Sequence, residues 1–238
     1  MNAHALMRQI ANDIVEGNYA THMGNKTTGQ NIPAEMSELI QLSQDKKVPA
    51  STVSSKALDK AMKASLRKYE TGEFLLPDLI IRATHTSQSR KILADGADDS
   101  ELYSKGKAVL ATLGGKDYTY WQEMVDKLLK GLGYQSVNLG DYAASQNIIN
   151  VVAKEEPDIL GIATPSTSLV PELNSVSTTT SVPEIKKLIE ILSEKDNRKN
   201  LKILIGGNVA SIRSAGAVGA DYRCKDMVQT IQFLKDFE

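Results

Sequence analysis

Residues 157–163 read PDILGIA, a short apolar run that follows a helix-forming segment and precedes the polar stretch TPSTS. Runs of this length, bounded by turn residues, are typical of strands buried on both faces of a sheet. Two similar runs are KAVLATL at 107–113 and KILI at 202–205. Amphipathic segments of roughly 12 residues separate these runs, and this alternation predicts a doubly wound parallel sheet covered by helices.

The remaining elements of this half follow the same alternation. Further strands are predicted at 134–139 and 221–222, and helices at 120–131, 143–156, 182–195, 211–218 and 225–236. Sheets of this kind bind ligands beyond the carboxyl ends of their strands. The loops after Leu113, Gly140, Ala163 and Ile205 therefore form the candidate binding face. Neither a phosphate loop nor a Gly-x-Gly-x-x-Gly turn follows the first strand, which argues against nucleotide hydrolysis and dinucleotide binding.

The first 95 residues have the periodicity of helices. Leu6, Ile10 and Ile14, for example, lie four apart on one helical face. Ser51, Ser54 or Ser55 is expected to cap the third helix. Four helical segments predict a small bundle, at 1–16, 34–47, 56–72 and 77–95. The polar stretch GADDSELYS then predicts a linker, so the predicted organisation is a cap at 1–95, a linker at 96–104 and a sheet domain at 105–238.

The overall composition narrows the class of protein. With 28 basic and 29 acidic residues the formal net charge is −1, so no basic field favours nucleic acid or an anionic membrane. No apolar run reaches the roughly 18 residues of a membrane span, and no signal peptide is recognisable. The single cysteine, Cys224, forms neither an internal disulfide nor a cysteine metal cluster. A cytoplasmic protein without a nucleic-acid or membrane partner is expected.

The ordered motifs resemble a known family. GKAVLAT, GYQSVNLG, PDILGIA, LKILIGGN and VGADYRCKD are similar, in order and spacing, to the B12-binding domain of methionine synthase and of small corrinoid proteins. The stretch AMKASLRKYETGEFLLPDL is similar to the helical cap of the same family. The resemblance implies an α/β fold, with a four-helix cap bundle before a Rossmann-like, flavodoxin-like sheet. It also implies cobalamin or a related corrinoid as the cofactor.

The family holds its cofactor with three signatures, and this chain departs from two. In Asp-x-His-x-x-Gly the histidine is the lower cobalt ligand, and the aspartate orients it. Here Lys116, Tyr118 and Trp121 stand at those three positions. All histidines of the chain precede residue 86, so no histidine of the sheet domain can be the ligand. Tyr118, at the position of the family's histidine, is one candidate to face the cobalt. The second signature, Ser-x-Leu, becomes Ala163-Thr164-Pro165 and leads into a long Ser/Thr-rich loop at 165–181.

The third signature, Gly-Gly after the fourth strand, is intact as Gly206-Gly207. In the family the missing side chains let the nucleotide tail of the cofactor pass close to the backbone. In the cap, the family uses one apolar helix face to shield the reactive side of cobalt. The resemblance thus implies these cofactor contacts: Lys116, Asp117, Tyr118, Trp121, Ala163, Thr164, Ser166, Gly206, Gly207, Asn208 and Tyr222 in the sheet domain, and Met62, Leu66 and Tyr69 in the cap.

Several interpretations stay open at this point. In the first, cobalamin binds with its tail beside Gly206-Gly207, and its cobalt is unliganded from below, bound to water or facing Tyr118. In the second, another tetrapyrrole or corrinoid takes the site, and in the third the site is lost and the protein works through contacts. Trp121 is either a core residue or fills the space that the histidine or the tail would use. His85, on the last cap helix, is expected to be a solvated or capping residue.

The resemblance implies a methyl-carrier subunit of a corrinoid-dependent methyltransferase system rather than a stand-alone catalyst. Its expected partners are methyltransferase proteins that load and unload the methyl group, with a reductive activation protein as a further candidate. The linker at 96–104 is the expected hinge of the cap. The main alternative is a sensor or interaction protein on the same fold, with its tetrapyrrole replaced or lost. A third possibility is a mutase subunit that uses adenosylcobalamin.

Overall fold

The computed structural model describes residues 1–17, 32–94, 102–113, 120–140, 143–164, 177–194, 200–207 and 218–237. The chain divides into two compact units, one of residues 1–105 with 127–135 and one of 106–126 with 136–238. The domain limits expected from the sequence stay a prediction. Within the described ranges, no helix is both long and apolar enough to cross a membrane.

The N-terminal elements are helical. They are α1 (Ala3–Glu16), α2 (Ala34–Asp45), α3 (Ala50–Val53), a π-helical segment (Ser54–Leu58), α4 (Asp59–Glu70) and α5 (Leu76–Leu93). The apolar stripe of α1 lies in the core of this unit, where Leu6, Ile10 and Ile14 are fully buried against residues that include Met36 and Leu58. Each such side chain contributes about 1.5–3 kcal/mol on burial, and this holds the short helices together.

Strands and helices alternate in the rest of the chain. The strands are β1 (Gly106–Thr112), β2 (Tyr134–Asn138), β3 (Ile159–Thr164), β4 (Lys202–Gly207) and β5 (Tyr222–Cys224). The helices are α6 (Tyr120–Leu132), α7 (Ser145–Glu155), α8 (Ser177–Glu194) and α9 (Met227–Asp236). The predicted α/β architecture, with helices first and a Rossmann-like sheet after them, is confirmed.

The strands lie in the order β2-β1-β3-β4-β5. The pairs β1/β3, β3/β4 and β4/β5 are parallel. The strand order reverses between β1 and β3, so the crevice where such sheets bind ligands lies at the carboxyl ends of these two strands. One face of the sheet is covered by α7 and α8, where Ile148 and Leu188 belong to the same buried cluster as Val109 and Ile162.

The serines predicted to cap the third helix lie inside helical segments, so that prediction is wrong. Helix α3 begins at Ala50, directly after Pro49. The hydroxyl of Ser55 donates to the carbonyl of Ser51 at 2.8 Å, and that of Ser54 donates to the carbonyl of Leu102 at 3.1 Å. The physical reason is that Ser54 satisfies distant groups in the core rather than the start of its own helix.

Arg90 of α5 connects distant parts of the first unit. Its guanidinium is fully buried and donates to Asp59 Oδ1 at 2.5 Å and to the carbonyl of Leu102 at 2.6 Å. It also donates to the hydroxyl of Ser54. A buried charge is tolerated only when it is paired and hydrogen-bonded, so these contacts determine how α4 and α5 lie together.

Replacing Asp59 with asparagine is expected to lower the free energy of unfolding by about 3 kcal/mol, because the buried guanidinium loses its counter-charge. Urea unfolding measures the change. Asp45→Asn makes the same replacement at an exposed position of α2, and we expect it to stay within about 0.5 kcal/mol of wild type. Equal stabilities of the two variants would show that the ion pair does not stabilise the unit.

Candidate cofactor site

Small and short side chains line up across the carboxyl ends of the strands. In the parallel register Thr112 pairs with Ala163, Ala163 with Gly206, and Gly206 with Cys224. All four residues are buried. Small side chains leave space above the sheet at the edge where sheets of this topology bind ligands.

The indole of Trp121 lies on this part of the sheet. Trp121 is the second residue of α6 and is only 8% exposed. A Cβ atom added to Gly206 would lie 2.1 Å from Cε2 of the indole, and one added to Gly161 would lie 3.6 Å from its Cη2. We call the surface over Gly161 of β3 and Gly206 of β4 the Gly161–Gly206 channel. The indole fills the space at Gly206 and is in ordinary van der Waals range of Gly161, where the side chain of Leu110 lies nearest.

A hydroxyl from α9 anchors the indole. Nε1 of Trp121 donates to Oγ1 of Thr230 at 3.0 Å, and this hydroxyl donates in turn to the carbonyl of Asp226 at 2.9 Å. Thr230 is fully buried. A buried indole N–H needs an acceptor, and this one has it. The orientation of the ring is therefore set by packing and by a hydrogen bond together.

Trp121 is a core residue, as one interpretation of the sequence expects, and its ring lies beside Gly206. Burying an indole removes about 150–250 Å² from water, which stabilises the fold by roughly 4–6 kcal/mol at about 25 cal/mol per Å². The glycine at 206 is used here to pack a ring of the protein itself. The nucleotide tail that the resemblance implies does not fit at Gly206 beside this indole.

A chain of polar side chains, which the sequence analysis did not identify, lies next to Trp121. Gln122 is 1% exposed, accepts from the hydroxyl of Thr112 and donates to Oδ1 of Asn138. The same oxygen of Asn138 accepts from the backbone N–H of Gly140 at 2.8 Å. The chain joins the start of α6 to the ends of β1 and β2 with neutral groups. Two features of the sequence indicate this hydrogen-bonded chain: Gln122 follows the tryptophan, and Thr112 ends a buried strand.

The structure places only part of the predicted contact set at this edge. It brings Ala163, Gly206 and Trp121 together, and the backbone of Thr164 pairs with that of Gly207. Tyr222 is 42% exposed, and its ring lies 4.4 Å from that of Phe233. The predicted residues outside the described part of the chain are Lys116, Asp117, Tyr118, Ser166 and Asn208.

The predicted contacts of the cap lie on α4. Met62 and Leu66 are buried, and Tyr69 is half-buried. His85 of α5 is only 5% exposed, so the expectation of a solvated or capping histidine is wrong. The reason is that α5 is buried on several sides and also buries Arg82 and Arg90. Among the described residues, no group of three or more His, Cys, Asp or Glu side chains is placed to hold a metal ion.

Cys224 ends the row of small residues and is 2% exposed. Burial raises the pKa of its thiol because the thiolate loses solvation, and the negative charge of Asp226 adds to this, while a hydrogen bond from Thr230 opposes it. The thiol is therefore neutral near pH 7 and behaves as a packed, unreactive group.

The raised pKa of Cys224 makes stability depend on pH. The neutral thiol favours the folded state fully below the ordinary thiol pKa of about 8.5, and this contribution is lost as pH rises towards the higher folded pKa. Wild type is expected to lose stability relative to Cys224→Ala as the pH rises above about 8.5. Urea unfolding of both proteins over this range tests the idea, and a constant difference would contradict it.

Adding a methyl group at Gly206 tests the contact with the indole. We expect Gly206→Ala to cost about 1–3 kcal/mol in wild type, because the methyl overlaps the ring. In a Trp121→Leu background it should cost less, with a coupling of about 1 kcal/mol or more in a double-mutant cycle of urea unfolding.

Gly161→Ala is the matched control for this cycle. Its methyl would come 2.5 Å from Cδ2 of Leu110, the movable end of a side chain, and only 3.6 Å from the indole. The cost of Gly161→Ala should therefore be nearly the same with tryptophan or leucine at 121. If Gly206→Ala lowers the free energy of unfolding equally in wild type and in Trp121→Leu, the indole does not limit the space at Gly206.

Comparison with known proteins relates this site to a family. The B12 binding domain family matches residues 106–229, more than half of the 238-residue chain. A corrinoid protein of Desulfitobacterium hafniense is 27% identical over 189 residues, which cover 78% of this chain and 82% of that protein. Dimethylamine corrinoid protein 1 of Methanosarcina acetivorans is 23% identical over 187 residues, covering 76% of this chain and 82% of that protein.

Solved structures show the same fold. A chain of the methanol:cobalamin methyltransferase complex of Methanosarcina barkeri has a TM-score of 0.70 at 18% identity, covering 99% of this chain and 80% of that chain. A cobalamin-binding protein from Desulfitobacterium hafniense has a TM-score of 0.62 at 16% identity, covering 98% of both chains. The predicted family and its corrinoid cofactor are confirmed by the domain match: the chain belongs to the B12 binding domain family.

Proposed function

We propose that this chain is the corrinoid-carrying methyl-carrier subunit of a cobalamin-dependent methyltransferase system. The observation that carries the proposal is how much of this chain aligns with corrinoid proteins. The 189 residues matched by one relative cannot be contained within residues 106–238, so the likeness extends into the helical part. A sheet domain alone would fit several classes of corrinoid protein, whereas helical cap and sheet together favour the carrier.

In this function the chain binds and shields, and the corrinoid supplies the methyl-transfer chemistry when it is bound. Met62 and Leu66 are buried side chains of α4, and we propose that they form the apolar cover over the reactive side of the corrinoid. The segment 96–104 is the proposed hinge that lets the cap move aside for each partner. The proposed partners are two methyltransferase proteins and a reductive activation protein, in the cytoplasm.

We further propose that cobalamin is held without a histidine from the sheet domain. The support is the sequence itself, since Lys116, Tyr118 and Trp121 replace the aspartate, histidine and glycine of the family signature. The described histidines, His4 and His85, both lie on helices of the first unit.

The alternative function, a sensor or interaction protein on this fold, has one observation in its favour. The indole of Trp121 fills the channel at Gly206, as expected of a site that no longer holds a cofactor tail. The carrier requires a bound corrinoid, whereas an interaction protein does not.

The decisive experiment is to mix the purified full chain with hydroxocobalamin, remove free ligand by desalting, and record the visible spectrum. We expect retained corrin absorbance, because the binding domain of the family is present. The same protein unfolded in urea is the control for non-specific retention. A spectrum without corrin bands would refute the carrier and leave the interaction protein.

Changing Tyr118 to phenylalanine tests whether the phenol is the lower ligand. A tyrosine has an ordinary pKa of about 10 and binds metal only when it is deprotonated. We expect the spectrum of the cobalamin-loaded variant to match that of wild type. A clear shift of the visible bands in Tyr118→Phe would instead assign the phenol to cobalt.

A further inference from the structure

We propose that Trp121 excludes the nucleotide tail of a corrinoid from the Gly161–Gly206 channel, so that the bound cofactor keeps its own benzimidazole as the lower cobalt ligand. The inference rests on the proposed binding of cobalamin and specifies how it is held. It follows from the disagreement between an intact Gly-Gly signature and a channel that already contains an aromatic ring.

The first step of the argument is steric. A single carbon added to Gly206 would lie 2.1 Å from Cε2, 2.4 Å from Cδ2 and 2.4 Å from Cζ2 of Trp121. Carbon atoms in contact need about 3.5 Å between centres. Since one methyl group has no room above Gly206, a planar base or a ribose phosphate has none either.

The second step is that the indole is held where it lies. Its N–H is bonded to Thr230 of α9, and both side chains are buried. The next residue, Gln122, bonds to Thr112 of β1 and so ties the start of α6 to the sheet. Val125, one turn further along α6, is fully buried. Opening the channel would break the Thr230 bond and expose the ring, so the closed arrangement is favoured.

The third step concerns the ligand that remains. The sheet domain has no histidine, because none follows His85 in the chain. Of the described polar side chains at this edge, Gln122 already uses both atoms of its amide on Thr112 and Asn138. The hydroxyl of Thr230 is bonded to the indole and to the carbonyl of Asp226, and the buried thiol of Cys224 is neutral. Cobalamin carries a benzimidazole on its own tail. A tail that cannot enter the channel leaves that base free to stay on cobalt.

The experiment compares two corrinoids on the same apoprotein. Cobinamide has the corrin ring but lacks the nucleotide tail, so it measures binding of the ring alone. We expect wild type to bind cobalamin and cobinamide with Kd values within about threefold of each other, since the tail is not held. A wild-type preference for cobalamin of about tenfold or more would overturn the inference, because the tail would then contribute binding energy.

Removing the indole should reverse this behaviour. In Trp121→Ala the channel is open, and cobalamin is expected to bind at least about tenfold better than cobinamide. Trp121→Leu, which keeps an apolar side chain on the channel, is the second variant and should show a smaller preference. Should both variants fail to fold, the wild-type comparison alone still decides.

EPR of the Co(II) forms identifies the ligand atom. Wild type loaded with cobalamin should show the nitrogen superhyperfine splitting of the cofactor base, and wild type loaded with cobinamide should not. Splitting in the cobinamide sample would assign the ligand to a nitrogen of the protein and overturn the inference. Wild type that binds neither corrinoid would refute the proposed function itself, and the inference with it.

Discussion

Contact between the Trp121 indole and the backbone of Gly206 is the constraint on which the sheet domain depends. Four elements meet there: β3 through Gly161, β4 through Gly206, α6 through the indole and α9 through Thr230. The ring can lie this close to β4 only because Gly206 lacks a side chain. Packing of α6 and α9 on this part of the sheet therefore depends on one aromatic residue, one glycine and the hydroxyl of Thr230.

Among the described side chains around this contact, a hydrogen-bonded set at the carboxyl edge is neutral. Thr112, Gln122 and Asn138 are linked by hydrogen bonds that carry no formal charge, and the thiol of Cys224 stays protonated because it is buried. A buried ion pair within the described residues joins Arg90 and Asp59 in the helical unit. Charge thus stabilises the helices, whereas the edge of the sheet relies on packing.

Local pattern and long-range contact differ in how well the sequence predicts them. Apolar runs such as 107–113 and 157–163 identified strands, because burial on both faces needs a continuous apolar stretch. The contact of Trp121 with Gly206 depends on how helix α6 packs against strand β4. The two residues are 85 positions apart in the chain, so no local pattern encodes their contact. The prediction of serine caps was wrong for the same reason, since the hydrogen-bond partners of Ser54 are the distant residues Arg90 and Leu102. His85 was misjudged because the burial of α5 on several sides depends on packing, not on its own periodicity.

The chain contains a single tryptophan, and it is the residue in the Gly161–Gly206 channel. Its emission is therefore an intrinsic optical probe of that channel alone, free of overlap from other indoles. A ring 8% exposed should emit at the short wavelengths of a buried indole and be shielded from quenchers dissolved in the solvent. Displacement of the ring would move the emission to longer wavelengths, whereas a corrin bound nearby without displacing it would reduce the intensity by energy transfer.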